Sequence, residues 1–286
     1  MTSQTLELKR SSASSGPNPG IRQEETVAKL IDTSTCIGCK ACEVACQEWN
    51  DLAPEATKQT GTYQTLPDME PHFWNLIRFK ELEQASKPLW LMRKDQCMHC
   101  ADPGCLEACP APGAIVQYAN GIVDFQQDQC IGCGYCITGC PFNVPKLSAT
   151  TKKVYKCTLC VDRVTQGLEP ACIKACPTGC LQFGSKTQML DVANKRVKQL
   201  QANGFEHAMV YDPQGVGGTG VVTVVAHGDM LAEYSLPENP TIPMAVTAWK
   251  HPLKWLGNLG IVGGILVAGF HYLRYGPKDH KGDEPK

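Results

Sequence analysis

Sixteen of the 17 cysteines in this 286-residue chain fall into four blocks of four, and no other feature constrains the fold as tightly. The first block is Cys36, Cys39, Cys42 and Cys46, spaced C-x2-C-x2-C-x3-C. The second is Cys97, Cys100, Cys105 and Cys109, with a middle gap of four residues. The third, Cys130, Cys133, Cys136 and Cys140, repeats the first and runs into Pro141. The fourth, Cys157, Cys160, Cys172 and Cys176, opens the middle gap to eleven residues and again ends in proline. Closely spaced cysteines closed by a distant Cys-Pro form the bacterial ferredoxin arrangement for [4Fe–4S] ligation. Four blocks predict four clusters, and a chain holding four clusters is expected to conduct electrons.

Disulfides and zinc are the rival uses of such cysteines. A disulfide framework belongs to secreted chains under about 100 residues. Cysteines two residues apart also offer neither the separation nor the side-chain directions that a disulfide needs. Zinc takes two C-x2-C half-sites and has no use for a third cysteine three residues on. The blocks therefore read as ligands for iron and sulfide.

In two-cluster ferredoxins the fourth cysteine of each run ligates the other cluster. Blocks two and three are close in sequence and are expected to form one such pair. One cluster would take Cys97, Cys100, Cys105 and Cys140, and its twin Cys130, Cys133, Cys136 and Cys109. Blocks one and four would form the outer pair, with Cys36, Cys39, Cys42 and Cys176 on one cluster and Cys157, Cys160, Cys172 and Cys46 on the other. Gln47 follows Cys46 where a proline would be expected, so that crossing rests on symmetry. The fold expected is α+β, two nested ferredoxin-like units with little regular secondary structure. Its divisions are an extended arm over 1–28, a four-cluster domain over 29–185 with the inner unit at about 90–145, and a helix and hairpin extension over 186–248. A membrane anchor over 249–275 and a polar tail over 276–286 follow.

The formal balance of 27 basic against 28 acidic side chains implies no nucleic acid or other polyanion as partner. Clusters alter that balance, because each oxidised cube with four thiolates carries about −2, or about −8 for four. Arg93, Lys94, Lys40, Lys146, Lys156, Arg163 and Lys174 lie next to or between the blocks and are candidates to offset it.

Between the first two blocks, Phe73–Glu81 and Leu89–Lys94 read as a strand pair. Ile115–Val116 and Ile122–Val123 flank Asn120-Gly121, a type I′ turn signal. Gly132, Gly134 and Gly139 allow the backbone to wrap a cluster closely. Lys186–Ala202 carries Leu190, Ala193, Val197 and Leu200 at helical spacing and ends before Gly204. Gly215, Gly217 and Gly220 spell G-x-G-x-x-G, but the strand Val221–Ala226 follows where a phosphate-binding helix would have to start. No Walker A sequence, zinc-protease helix, nucleophile elbow or flavin fingerprint occurs, so neither a catalytic residue nor a small-molecule substrate site is expected.

Trp255–Leu273 is a 19-residue stretch without Asp, Glu, Lys or Arg. As a helix it would just cross a hydrocarbon core of about 30 Å. Trp249 and Trp255 at one end and Tyr272 and Tyr275 at the other match an interfacial aromatic belt. Gly260, Gly264 and Ala268 form a small-x3-small stripe suited to close helix contact in lipid. Lys250 and Lys254 precede the span, while Arg274, Lys278, Lys281 and Lys286 follow it, which favours a cytoplasmic C-terminus. His271 is read as an interfacial polar residue, with haem ligation at a partner interface as the alternative. No apolar run follows the start methionine, so no cleavable signal is expected; the chain would stay in the cytoplasm or leave it folded with a signal-bearing partner.

Long stretches carry a resemblance: Ala28-Lys-Leu-Ile-Asp32, Ser34-Thr-Cys-Ile-Gly-Cys-Lys-Ala-Cys42, Arg93-Lys-Asp-Gln-Cys-Met-His-Cys100 and Tyr118-Ala-Asn-Gly-Ile-Val-Asp-Phe125. Cys130-Ile-Gly-Cys-Gly-Tyr-Cys136, Lys156-Cys-Thr-Leu-Cys-Val-Asp-Arg163 and Gly215-Val-Gly-Gly-Thr219 complete it. From about Ala28 to Tyr275 the chain resembles the iron–sulfur (beta) subunits of respiratory, membrane-bound formate dehydrogenases. The resemblance implies an alpha subunit with a molybdenum or tungsten pterin cofactor that oxidises formate, and a cytochrome b gamma subunit that reduces a quinone. It implies clusters on the periplasmic side of the cytoplasmic membrane, exported with an alpha subunit bearing a twin-arginine signal. It further implies that the Cys36 cluster lies toward the alpha subunit and the Cys157 cluster toward the cytochrome haem, with the inner pair between them. Cys180 departs from the family pattern, where that position is small and apolar, and reads as a buried free thiol, with a replacement ligand as the alternative. Four-cluster subunits of other membrane oxidoreductases, such as hydrogenases and molybdopterin reductases, share the cysteine scaffold and stand as the alternative.

Overall fold

In the computed structural model, which describes residues 6–14, 18, 24–53, 57–59, 61–83, 88–248 and 254–276, short elements alternate with the cysteine blocks. Around the first block lie β1 (Leu8–Ser11), β2 (Val27–Asp32) and α1 (Ala41–Trp49). β3 (Asn75–Leu82) and β4 (Leu89–Gln96) lead into the second, which carries α2 (Gly104–Ala108). β5 (Ile115–Tyr118) and β6 (Val123–Phe125) precede the third block and its helix α3 (Tyr135–Thr138). The fourth is bracketed by β7 (Lys146–Leu147), β8 (Val154–Tyr155), α4 (Val161–Val164) and α5 (Ala171–Lys174). β9 (Leu181–Ser185), α6 (Lys186–Ala202), β10 (Met209–Tyr211) and β11 (Val221–Val225) then close this part of the chain.

All six residues of β2 are buried, as in a strand covered on both faces. It lies in a four-stranded sheet ordered β10-β11-β2-β9, parallel to β11 and antiparallel to β9. Strand alternation then sorts its side chains. Ala28 and Leu30, with Val222 and Val224, pack against Met189, Ala193 and Leu200 of α6. Ile31, with Val221 and Val225, shares the opposite core with Cys42, Cys100, Cys172 and Cys180. Lys29 is in phase with Ile31 and therefore on the cysteine side. One face of this sheet closes a conventional apolar core, and the other backs the thiols.

α6 covers the residues expected of it, with Met189 added to its buried face. Its first turn is capped by Ser185 Oγ, which accepts the Gln188 N–H at 3.2 Å. Gly204, at φ +90°, takes the left-handed position beyond its end. Because β10 and β11 join the sheet of β2, the stretch after residue 185 is built into the same body as the cysteine blocks. The N-terminal arm also contributes, since β1 pairs with β5 as the edge of a three-stranded sheet.

β3 and β4 pair over their full length, from Asn75 opposite Gln96 to Leu82 opposite Leu89. The Asn120-Gly121 turn differs from the type I′ expectation. Neither Ala119 nor Asn120 has positive φ, whereas Gly121 sits at +88°. Gly121 N–H donates to the Tyr118 carbonyl at 2.9 Å, which makes a type I turn followed by a left-handed glycine bulge. Asn120 is held there because its carbonyl accepts the Val27 N–H at 2.9 Å and its Oδ1 accepts the Ile122 N–H at 3.2 Å.

A second unit, Met244–Lys286, contains α7 (Met244–Ala248) and α8 (Lys254–Tyr275). The 22 residues of α8 give a rod of about 33 Å at 1.5 Å rise. Trp255–Tyr275 has a mean hydropathy of 1.5, long and apolar enough to cross a membrane. A Cβ added at Gly257, Gly260, Gly263 or Gly264 would meet nothing within 4 Å, so backbone lies open along the helix. Trp249, Lys250, Lys278, Lys281 and Lys286 lie outside the described residues.

Candidate metal centres

The same backbone turn recurs in every block. The residue two positions after the first cysteine is left-handed each time: Gly38 (φ +65°), His99 (+46°), Gly132 (+70°) and Leu159 (+56°). This turn brings an amide back onto the first sulfur, with His99 N–H 3.5 Å from Cys97 Sγ and Leu159 N–H 3.4 Å from Cys157 Sγ. Amides gathered by alternating helical and left-handed residues make a nest for an anion. Glycine adopts the turn without penalty, whereas His99 and Leu159 carry about 1–2 kcal/mol of strain each. His99 is locked in place, because its carbonyl accepts the Gly220 N–H at 2.9 Å and its Nδ1 accepts the Val123 N–H at 3.1 Å. The glycine-rich loop before β11 thus braces the second block, and Cys100 forms a β-bridge with Thr219.

The third cysteine of each block enters a short helix: Cys42 in α1, Cys105 in α2, Cys136 in α3 and Cys172 in α5. The fourth follows one helical turn later, about 6 Å along the axis, which carries it away from its own block. α1 packs on α5, and α2 on α3. One cavity is lined by Cys36, Cys39, Cys42 and Cys176, with Cys180 and Lys94. A second is lined by Cys46, Cys157, Cys160 and Cys172, with Lys29 and Lys94. A third is lined by Cys97, Cys100, Cys105 and Cys140, with His99 and Lys156. In the remaining foursome, Cys109 and Cys136 both feel Cys130 and Cys133 as charged neighbours. Each foursome takes three cysteines from one block and the fourth from its partner block.

The cages suit a polynuclear cluster. Among the described residues no three His, Cys, Asp or Glu side chains converge closely enough for a single ion. Burial pushes the Cys42, Cys46 and Cys136 thiols up to about 12, and the Cys97 and Cys160 thiols up to about 11. Such thiols become thiolates only together with a metal cation, and metal binding then drives off their protons. At the third cage His99 is 2% exposed, and burial, with Lys156 and Lys29 near, drives its pKa well below the usual range. The neutral ring accepts at Nδ1, so its proton is on Nε2, which has no partner among the described residues. That N–H is a free donor on the cage wall, as a sulfide or thiolate would require.

The cages form a row whose order differs from the one the resemblance implied. Lys94 lines both the Cys36 and Cys157 cages, which makes them neighbours. Cys157 shares a buried cluster with Cys97, and Lys156, on the Cys97 cage, donates to the Cys157 carbonyl at 2.9 Å. Cys105 packs with Cys109 and Cys136, joining the Cys97 and Cys130 cages. The row therefore runs Cys36, Cys157, Cys97, Cys130. The Cys157 cage is interior, because cysteines of blocks one and four line it and the Cys36 cage together. Exposed thiols occur at the two ends, Cys39 and Cys133, beside Ile37 and Ile131 at 60% and 67% exposure.

The candidate cations separate by location. Arg93 pairs with Asp95 at 2.9 Å and donates to the Tyr234 carbonyl, on the opposite face of β4 from Lys94. Lys146 bonds Asp68 at 2.6 Å, Arg163 stacks over Trp49 at 4.1 Å, and Lys174 is exposed. Lys40 lines the Cys36 cage, with Phe79 5.7 Å away. Lys94 and Lys156 are buried at the cages, and so is Lys29, which the sequence reading missed. A lysine in phase with the core residues of a fully buried strand was the available signal. Cys180 lies at the Cys36 cage, where its hydrogen bond draws the Cys36 thiol down to about 7 while its own pKa rises.

Residues 35–114 and 88–186 each match a family described as a 4Fe-4S dicluster domain, and residues 242–285 match one described as formate dehydrogenase N, transmembrane. The nitrate-inducible formate dehydrogenase iron-sulfur subunit of Escherichia coli is 53% identical over 280 residues, 97% of this chain and 95% of that one. The formate dehydrogenase-O iron-sulfur subunit of the same organism is 53% identical over 281 residues, covering 97% and 94%. Formate dehydrogenase 2 subunit beta (cytochrome c-553) of Nitratidesulfovibrio vulgaris is 34% identical over 197 residues, 66% of this chain and 90% of that one. Iron–sulfur clusters, an electron-transfer role and a single membrane-spanning anchor follow from these matches and from α8. With its paired dicluster domains and its terminal span, the chain belongs to the iron–sulfur subunits of the formate dehydrogenases.

Proposed function

We propose that the chain carries electrons through four [4Fe–4S] clusters, from a formate-oxidising subunit with a molybdenum or tungsten pterin to a membrane cytochrome b and quinone. The ligand sets are the four foursomes above: Cys36, Cys39, Cys42 and Cys176; Cys157, Cys160, Cys172 and Cys46; Cys97, Cys100, Cys105 and Cys140; and Cys130, Cys133, Cys136 and Cys109. When bound, the clusters supply one-electron carriers in that order, so that each has a neighbour within the same protein interior. The rest is done by the chain itself. Its helices hold the thiols, its left-handed turns aim amides at the sulfurs, and its buried lysines offset the negative charge. Substrate chemistry belongs to the partner subunits.

The observation that carries this reading is the continuous row of cages with exposed thiols at its ends alone, Cys39 and Cys133. The Cys36 end is assigned to the catalytic subunit and the Cys130 end to the cytochrome. α8 anchors the complex in the cytoplasmic membrane with the clusters on the periplasmic side, in line with the excess of basic residues after the apolar stretch, Arg274, Lys278, Lys281 and Lys286, over Lys250 and Lys254 before it. Iron and acid-labile sulfide analysis of the complex purified from membranes tests the reading. About 16 iron atoms per chain support it, four for each cubane, and zinc without labile sulfide refutes it. Identification of the co-purifying catalytic subunit tests formate as the electron source.

A further inference from the structure

Between the Cys36 and Cys157 cages two lysines converge on one glutamine. Lys29 is 0% exposed, Lys94 1% and Gln96 1%. Gln96 Oε1 accepts from Lys94 Nζ at 2.6 Å and from Lys29 Nζ at 3.0 Å, and Lys29 Nζ also lies 3.1 Å from Cys172 Sγ. The two strands explain the meeting. Lys94 and Gln96 are two residues apart on β4 and point the same way, while Lys29 sits on the cysteine face of β2.

Neither ammonium has a carboxylate partner among the described residues. Glu43, the buried carboxyl that feels Lys94, is taken up by the Ile77 N–H at 2.6 Å and the Thr65 hydroxyl at 2.7 Å. Lys156 contrasts with this pair, because it is satisfied by the carbonyls of Val123 at 2.5 Å and Cys157 at 2.9 Å. Two unpaired buried cations meeting on a neutral amide are strongly unfavourable unless an anion stands beside them. With both oxygen lone pairs used, Gln96 Nε2 is left without an acceptor among the described residues.

We propose that Lys29, Gln96 and Lys94 form a positioned counter-charge for the outer pair of clusters, raising the reduction potentials of the Cys36 and Cys157 cages above what their ligands alone would give. The inference rests on the reading that these cages hold [4Fe–4S] clusters. Reduction adds negative charge to each site, and a cation fixed nearby in a weakly polar interior favours the reduced form. Lys94 acts on both cages because it lines both, and Lys29 acts on the Cys157 cage. Gln96 serves as a positioning residue that holds the two ammoniums together.

The test is an EPR-monitored redox titration of the membrane-purified complex carrying Lys94→Met or Gln96→Glu. The first removes a charge at similar volume, and the second gives both lysines a carboxylate while keeping them. Each variant is expected to cut the reduced-to-oxidised ratio of the Cys36 and Cys157 clusters at a fixed potential by tenfold or more, a downward shift of at least 59 mV for a one-electron couple. The Cys130 cluster is expected to stay where it is. Unmoved outer potentials in whichever variant keeps its full iron overturn the proposal. Loss of outer-pair iron from both variants also overturns it, because the trio would then be packing. A wild-type complex lacking four clusters would instead defeat the ligand reading, a failure visible before any variant is titrated.

Discussion

The outer and inner ferredoxin-like units are built on the same turns and nearly the same spacing, yet their surroundings differ. The outer pair lies beneath β2 and β4, with Lys29 and Lys94 buried between its cages and a fifth thiol, Cys180, at one of them. The inner pair relies on close backbone: a Cβ at Gly132 would overlap the Lys152 carbonyl oxygen, and one at Gly139 would come within 2.6 Å of Ala108 Cβ. Ligand spacing therefore specifies which group is bound, and the surroundings specify its charge environment and stability. Two copies of one motif become unlike carriers because the buried lysines of the outer pair meet on a neutral amide, whereas the buried lysine of the inner pair, Lys156, is satisfied by backbone carbonyls.

The largest expected effect tests whether the two units share the crossed ligand scheme at all. Cys46→Ser should alter the EPR signal of the Cys157 cluster and leave the Cys36 cluster intact, although Cys46 belongs to the first block. Its inner counterpart, Cys109→Ser, should alter the Cys130 cluster and spare the Cys97 one. A change confined to the Cys36 signal in the first variant would break the parallel between the units.

Next in size is a matched pair of substitutions at the shared turn. Gly132→Ala combines about 1–2 kcal/mol of left-handed strain with overpacking of about 1–3 kcal/mol against rigid backbone, about 2–5 kcal/mol in all. Gly38→Ala meets the ring of Phe79 at 2.6 Å and Met92 Sδ at 2.9 Å, side chains able to shift. It should lose about 1–2 kcal/mol, little more than the strain itself. Thermal unfolding of the two variants, with iron content as the second readout, sharpens the contrast. Equal losses would mean that the outer turn is as tightly enclosed as the inner one.

Access to solvent gives a smaller difference, seen in rates. In the chain stripped of its partner subunits, ferricyanide should bleach the cages with exposed thiols first, those of Cys36 and Cys130, and the wholly buried Cys157 cage last. Loss of the Cys157 signal ahead of both ends would contradict the row deduced from shared lining residues.

How far the sequence revealed this depends on whether a feature is local. The β3–β4 strand pair and the span of α6 follow from patterns within a few residues, and the sequence carries them openly. The β5–β6 turn was misread because the Asn-Gly signal ignores what holds Asn120 from outside, the amide of Val27. Cage order was misread for a related reason, since adjacency depends on which units share ligands and not on block number. Arg93 and Lys94 are neighbours in sequence, but β4 turns one to a carbonyl and carboxylate and the other to the clusters. Lys29 stood unnoticed in β2 because its role requires β4 to arrive beside it.

The finest distinction between the units is the seventeenth cysteine. Cys180 is 3% exposed, and its carbonyl accepts the Asp32 N–H at 2.9 Å where β9 meets β2. A residue so placed could be a reserve ligand or a buried donor. The donor role fits better, because Cys36, Cys39, Cys42 and Cys176 already line that cage and Cys180 lies close enough to draw the pKa of the Cys36 thiol down. Cys180→Ala should therefore retain all the iron, with a loss of about 1 kcal/mol for one buried group. Removing the S–H donor should also lower the potential of the Cys36 cluster slightly, since a hydrogen bond to a ligand sulfur favours the reduced state. Iron analysis separates the two roles: a variant short of one cluster would make Cys180 a ligand, and the outer unit would then differ from the inner in its coordination as well as in its surroundings.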